Sequence, residues 1–287
     1  MESVGRSFIT GFGYAAQART PAEAERHLET VAPGFRGFGY EGATMAFTIM
    51  DALRLGGGRC VERFLDGRGA SHVYMANIGI GWALARLPRL RWRAVLPADP
   101  LLHWLALDGY GFHQAYFHTD RYVRERYQRA NFPWPVGNPH PYANQAIDQG
   151  IGRALWFVEG TDVDRVVATI ATFPKHRHGD LFSGAGLAAT YAGGVNEAEL
   201  ESFWHHAGDH RPMVAQASAF AAKARVLAGL VTPHTHLATS VFCAMPPEQA
   251  AAVTDHALAD LPEDGQLPAF EVWRQRIADE FVSVGRY

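Results

Sequence analysis

The sequence predicts an all-α protein, on three observations: helix-start signals recur along its length, one long stretch carries unbroken helical periodicity, and strand-like alternation is confined to one short run. Apolar residues make up 48% of the 287 positions and charged residues 19%, which favours a folded interior over disorder. One large domain over 1–287 fits this length, and no shift in composition marks a boundary.

The elements follow in order. Thr20-Pro21-Ala22-Glu23 supplies a capping residue, a proline at the first helical position and a glutamate that reaches back, so a helix is expected over 21–31. A short helix is expected over 58–65, weak alternation lies at 71–81, and a further helix is expected over 119–129. The proline-rich run NFPWPVGNPHPY at 130–141 reads as an ordered crossing loop. In 142–159, Ala143, Ala146, Ile147, Gly150, Ile151, Ala154, Leu155 and Val158 form one apolar stripe. Thr161 to Asp164 opens a helix whose valines and Ile170 are spaced for burial before Pro174 stops it. Asn196 and Glu199 repeat the capping device over 196–207, with Val195 and Leu200 placed as a hydrophobic staple. Helices over 212–229, 247–261 and 268–281 are expected from alanine content and proline punctuation.

Five Gly-x-Gly pairs punctuate these segments: Gly37/Gly39, Gly79/Gly81, Gly109/Gly111, Gly150/Gly152 and Gly184/Gly186. Glycine inside a helix costs about 1 kcal/mol against alanine, so repeated pairs imply helices that approach closely. Irregular helix-pair repeats follow from this reading, with small-residue inner helices and bulkier outer ones forming a curved solenoid or a closed helical disc around an inner cleft.

Several function classes are excluded or disfavoured. The formal net charge of −3, with acids and bases interspersed, gives no footprint for nucleic acid. No window is apolar enough to span a membrane, and Glu2, Gly11 and Gly13 argue against a secretory signal in the first 18 residues. With only Cys60 and Cys243 there is no disulfide framework, and the pattern suits a cytoplasmic bacterial protein. Gly37-Phe38-Gly39-Tyr40-Glu41-Gly42 spells the dinucleotide fingerprint, yet a helix and Pro33 precede it where a strand is required. The pairs Asp99/His103, His206/His210 and His234/His236 lack a third ligand at a diagnostic spacing, so no metal is expected, and no other cofactor. No nucleophile elbow occurs, since Ser183 sits in a helical segment, and aspartate-rich magnesium motifs are missing.

What remains is a set of polar residues on the glycine-bearing helices. In LDGYGFHQAYFHTDRYV (107–123), Asp108, His113 and His118 stand out. Asp148 and Arg153 lie off the stripe of 142–159, Lys223 and Arg225 lie in AFAAKAR, and Tyr116, Trp156 and Trp273 offer aromatic walls. If they converge on one hollow, His113 and His118 serve as proton donor and acceptor, Asp108 and Asp148 orient or balance charge, and Arg153 or Lys223 holds a carboxylate or carbonyl end. The structural alternative is that Asp148 and Arg153 each simply pair with neighbours between helices and that Asp108 and His113 form a satisfied hydrogen-bonded couple.

The strings RGFGYEGATMA (36–46), RFLDG (63–67), NIGIGWALARLP (77–88), DPLLHWLALDGYGFHQAYFH (99–118), DQGIGRALWFVEG (148–160), DLFSGAGLAATYAGG (180–194), AFAAKAR (219–225), PHTHLA (233–238) and FEVWRQRI (270–277) run in order and nearly without gaps. Over about 8 to 281 they resemble a bacterial family of unknown activity whose genes accompany the iterative polyketide synthases of enediyne antibiotic clusters. Family members carry a longer basic leader, so any function of that leader is expected to be missing. The resemblance implies a role in making or handling the enediyne core or its linear polyene precursor, and names no reaction. The leading expectation is therefore an apolar conjugated ligand in the inner cleft, with catalysis left open. The alternative is a non-catalytic scaffold that grips a polyketide synthase or tailoring enzyme, and a purely structural protein is a third reading; oligomeric state is not predicted.

Overall fold

A computed structural model describes residues 1–54, 58–136 and 142–287. Every regular element among them is helical. In chain order they are α1 (Glu2–Gln17), α2 (Pro21–Leu28), α3 (Pro33–Leu53), α4 (Cys60–Leu65), α5 (Val73–Leu84), α6 (Trp92–Val95), α7 (His103–Phe117), α8 (Tyr142–Val158), α9 (Val163–Ala171), α10 (His178–Ala192), α11 (Glu197–Ala207), α12 (Arg211–Leu227), α13 (Pro233–Cys243), α14 (Pro247–Ala257) and α15 (Ala269–Ser283). Short 3₁₀ turns link several of them.

The capping signals act where the sequence places them. Thr20 accepts from the Glu23 amide, Asp162 from Arg165, and Asn196 with Glu199 forms a full reciprocal box. Two expectations are corrected. The alternating run at 71–81 is helical: Met75 through Leu84 are all buried, so no polar face exists to reveal the 3.6-residue period. Of 119–129, only the π-helical turn Asp120–Arg124 is regular, and Arg126 beyond it has a positive φ of 54°. The proline-rich stretch is non-helical over 131–136, while 137–141 lie outside the described residues.

The glycine pairs explain the architecture. At 100° per residue, positions i and i+2 point to nearly opposite sides of a helix, so each pair opens one helix to two neighbours at once. A Cβ on Gly79 would collide with the Glu41 carbonyl of α3, and one on Gly81 with the Ala106 carbonyl of α7. Gly109 answers toward α5 at Ile78, while Gly111 faces α8 at Ile147. Gly150 faces α7 at Asp108, Gly152 faces α10 at Leu181, and Gly184 returns to α8 at Gln149. Backbones at such separations allow Cα–H···O contacts and leave no room for any other side chain. The result is a row α1, α3, α5, α7, α8, α10, α12 in which each helix packs on the next.

This row curves. On α12, Arg225 donates to the Gly34 carbonyl of α3 at 3.0 Å and to the Tyr191 carbonyl of α10 at 2.6 Å. Val4, Phe38, Met75, Tyr191, Ala221 and Ala224 close into one apolar cluster drawn from α1, α3, α5, α10 and α12. The remaining longer helices, α9, α11, α13, α14 and α15, pack around α8, α10 and α12, and Phe203, Phe242, Phe270 and Phe281 fill the layer between. Contacts of this kind are compatible with the curved arrangement the repeats suggest, and a cavity is lined by residues of α1, α3, α5, α7, α8 and α10.

Candidate functional site: a cavity with a buried acid cluster

The cavity measures about 710 Å³, within the range of small-molecule sites. Its walls are apolar and aromatic: Phe8 and Ile9 from α1, Phe38 from α3, Trp82 from α5, Phe112 and Phe117 from α7, Phe157 from α8, Leu187 and Tyr191 from α10. The sequence folds this way locally because each glycine pair turns two sides of its helix into close contacts with neighbours, leaving the large residues to project between them. Phe112, for instance, stands between Gly109 and Ala115, which pack against neighbours.

Charge enters this apolar space at one place. Arg153 and Glu41 both line the cavity, and Asp108 lies behind Arg153. Arg153 Nε donates to Asp108 Oδ1 at 2.7 Å, with Nη2 at 2.5 Å from the same oxygen, and the guanidinium lies 5.0 Å from the Phe112 ring. Burial raises the Asp108 carboxyl above the usual carboxylate range, with the Arg153 guanidinium opposing that rise. Glu41, only 4% exposed, is pushed up to about 7: burial dominates, Arg153 pulls down, Asp108 adds to the rise and the Trp82 indole opposes it. Two carboxyls thus lie near one guanidinium, and Glu41 is the one without a direct ion pair among the described residues.

The expected convergence of the sequence-selected residues is partial. Arg153 lines the cavity, Tyr116 stands at its rim at 45% exposure, and Asp108 holds Arg153. His113 is buried beside Trp82 and Phe117, its Nδ1 has no hydrogen-bond partner among the described residues, and burial pushes it down to about 4, with Arg86 adding to the fall. It does not couple to Asp108, because residues five apart on a helix diverge by about 140°. His118 is exposed at the end of α7, with its ring centroid 6.4 Å from that of His113, so no shared proton joins them.

The same angular argument separates Asp148 from Arg153. Asp148 faces the other side of α8, where Arg177 grips it through Nε at 2.9 Å and Nη2 at 2.6 Å. Burial pushes its carboxyl up to about 7 against that guanidinium. Trp156 is wholly enclosed and donates to the Gly193 carbonyl at 2.9 Å. Trp273 donates to Thr254 and, with Lys223, borders a separate hollow of about 40 Å³. Lys223 is ion-paired with Asp255 at 2.6 Å.

Glu41 was absent from the residues that sequence reasoning selected. The available signal was a carboxylate inside the glycine-rich helical segment GFGYEG, a place where solvent has no access. No set of three or more His, Cys, Asp or Glu residues is arranged to hold a metal among the described residues, and His103, His206 and His234 each lie within hydrogen-bond distance of a backbone carbonyl. No described helix is long and apolar enough to cross a membrane.

Comparison with known proteins adds one match. No curated protein and no solved structure matches the chain. A family model described as "protein of unknown function (DUF1702)" matches residues 1–281, and with nearly its whole length covered, the chain belongs to that family.

Proposed function

We propose that this protein binds an elongated, apolar, conjugated small molecule in the 710 Å³ cavity, its polar end directed to Glu41 and Arg153. One observation carries the reading: an aromatic-walled hollow whose buried wall holds a carboxyl without an ion pair among the described residues, beside a guanidinium already matched to Asp108. Arg153 is a hydrogen-bond donor for a carbonyl oxygen, and Glu41, at about 7, gives or takes a proton near neutral pH. The quoted sequence strings support assigning the ligand to the linear polyenes of enediyne-type polyketide biosynthesis, and a cytoplasmic place of work.

A neutral polyene probe tests this. All-trans-retinol should bind with a rise in its fluorescence, and Leu187→Trp, which fills the hollow from a half-buried position on α10, should weaken binding about tenfold or more. Absence of binding, or binding untouched by that substitution, sinks the reading. A second reading rests on the rim, where Ile9 is 71% and Phe117 57% exposed: a scaffold that docks a synthase or tailoring enzyme there. Native mass spectrometry of protein from a producing strain separates the two, a polyene-sized adduct favouring the cavity and a co-purifying polypeptide the scaffold.

A further inference from the structure

A second pocket, of about 220 Å³, uses the faces of α7 and α8 that the large cavity does not. On α7 it takes Tyr110 and Gln114, whereas the cavity takes Phe112 and Tyr116; on α8 it takes Asn144, Ile147 and Asp148 rather than Arg153 and Phe157. Three arginines stand around it: Arg89, Arg121 and Arg129. None has a carboxylate within ion-pair distance among the described residues, because the nearby Asp120 pairs with Arg124 and Asp148 with Arg177.

Two of the three guanidiniums are held by aromatic faces instead. Arg89 lies 4.9 Å from the rings of both Trp92 and Phe132, with a further contact from Nη1 to the Pro133 carbonyl at 3.3 Å. Arg121 lies 3.9 Å from the Tyr127 ring and 5.8 Å from that of Tyr122. A cation seated on a ring keeps its edge N–H donors and its full charge, which a carboxylate partner would consume. Tyr110 and Tyr122, both buried, stand on the inner wall, and Gln114 and Asn144 contribute further polar side chains. The backbone that carries Arg121 and Tyr127 is unusual, running through a π-helical turn and then the positive φ of Arg126, and such irregularities cluster at functional sites.

We infer that this pocket is an oxyanion site, which takes the phosphate or carboxylate group of a small molecule between Arg89, Arg121 and Arg129. The charge balance decides the sign: among the described residues three arginines face the pocket against one carboxylate, Asp148, which Arg177 already pairs at 2.6 Å. Pairing with an oxyanion through two parallel N–H donors is the geometry guanidinium groups favour. The site is independent of the polyene cavity and stands or falls separately.

Inorganic phosphate and acetate, each at fixed ionic strength against chloride, are the probes, read by thermal unfolding and by calorimetry. Phosphate or acetate should raise the unfolding temperature beyond chloride, the larger shift naming the group the pocket takes. The double variant Arg89→Gln/Arg121→Gln should weaken binding about tenfold or more, while Arg19→Gln, at a distant exposed position, should leave it unchanged. Stabilisation no greater than chloride gives, persistence in the double variant, or an equal loss in Arg19→Gln overturns the inference. Because retinol is uncharged, its binding to the cavity should survive the double variant.

Discussion

Two buried clusters of charge in this molecule have the same ingredients and opposite circumstances. In each, two carboxyls accompany one guanidinium. Around Arg274 of α15, Nη1 is shared among Asp180 at 3.1 Å, Glu271 at 2.7 Å and the Tyr142 hydroxyl at 3.2 Å, while Ser183 accepts from Nη2 at 3.1 Å and Gln216 from Nε at 3.3 Å. Gln149 donates to Asp180 at 2.9 Å and Gln275 to Glu271 at 3.0 Å. Side chains from α8, α10, α12 and α15 are tied together, and the guanidinium is 2% exposed. Around Arg153, by contrast, Asp108 is the one hydrogen-bonding and ion-pairing partner among the described residues, with the Phe112 ring beside it, and Glu41 faces the hollow. A densely bonded network of this kind, even with the Gln216 Nε2 left over, locks helices in place; a sparser one beside a cavity is where a ligand completes the set.

The largest effect expected from this contrast comes from breaking the sealed cluster. Arg274→Met leaves two buried carboxyls without their cation and should lose about 3–5 kcal/mol in urea unfolding at pH 7. Arg153→Met should lose clearly less, because Asp108 can take up a proton and water can reach it through the cavity. Equal losses would show that the two clusters do not differ in kind.

Next in size is the junction that the sealed cluster bridges. Gly184 faces the Gln149 carbonyl across α8 and α10, the same pair of helices joined by the Gln149 to Asp180 hydrogen bond. Gly184→Ala forces backbone against backbone and should cost about 1–3 kcal/mol. An alanine tolerated there without loss would mean that the close approach is dispensable.

Much of this scaffold was legible beforehand, and the reason is that its determinants are local. Thr20, Asp162 and Asn196 act within three residues of themselves, and a glycine pair encodes two close contacts by helix geometry alone. The site was less legible because its members meet across long separations: Glu41 and Arg153 share a cavity from α3 and α8. One error was avoidable. Asp108 and His113, weighed as a couple, and Asp148 and Arg153, expected to face one hollow, are each five residues apart, a spacing that sends side chains to different sides of a helix; the alternative in which Asp148 and Arg153 each pair with a neighbour between helices is the one found. The fully buried α5 is the opposite case, since a helix without a polar face carries no periodic signal to read.

The pH dependence of Glu41 sharpens the contrast further. Its folded-state value of about 7 lies above the ordinary 4.5. Below pH 4.5 the carboxyl is protonated whether folded or not and contributes nothing. Between pH 4.5 and 7 the unfolded chain is ionised while the folded carboxyl keeps its proton, so the native state loses stability across that window and the loss levels off above pH 7. Glu41→Gln should therefore match the wild type at pH 4 and exceed it by about 1–3 kcal/mol at pH 8. A carbon NMR titration of the Glu41 carboxyl should place its midpoint near 7 in the wild type, and a midpoint near 4.5 would remove Glu41 as a proton carrier.

Lys223 should give the smallest effect, and it tests where the cavity ends. Its ion pair with Asp255 is 2.6 Å long, but the Asp255 side chain is 49% exposed, so Lys223→Met should change stability by about 0.2–1 kcal/mol. The hollow it borders shares Met75, Arg153, Leu187 and Tyr191 with the large cavity. A side-chain shift at those four residues would join the two spaces and let a long ligand run past Arg153 toward Phe270 and Trp273. Retinol affinity unchanged in Lys223→Met places the ligand wholly on the Glu41 side, whereas a clear change shows that the ligand threads between both hollows and that Arg153 meets its middle rather than its end.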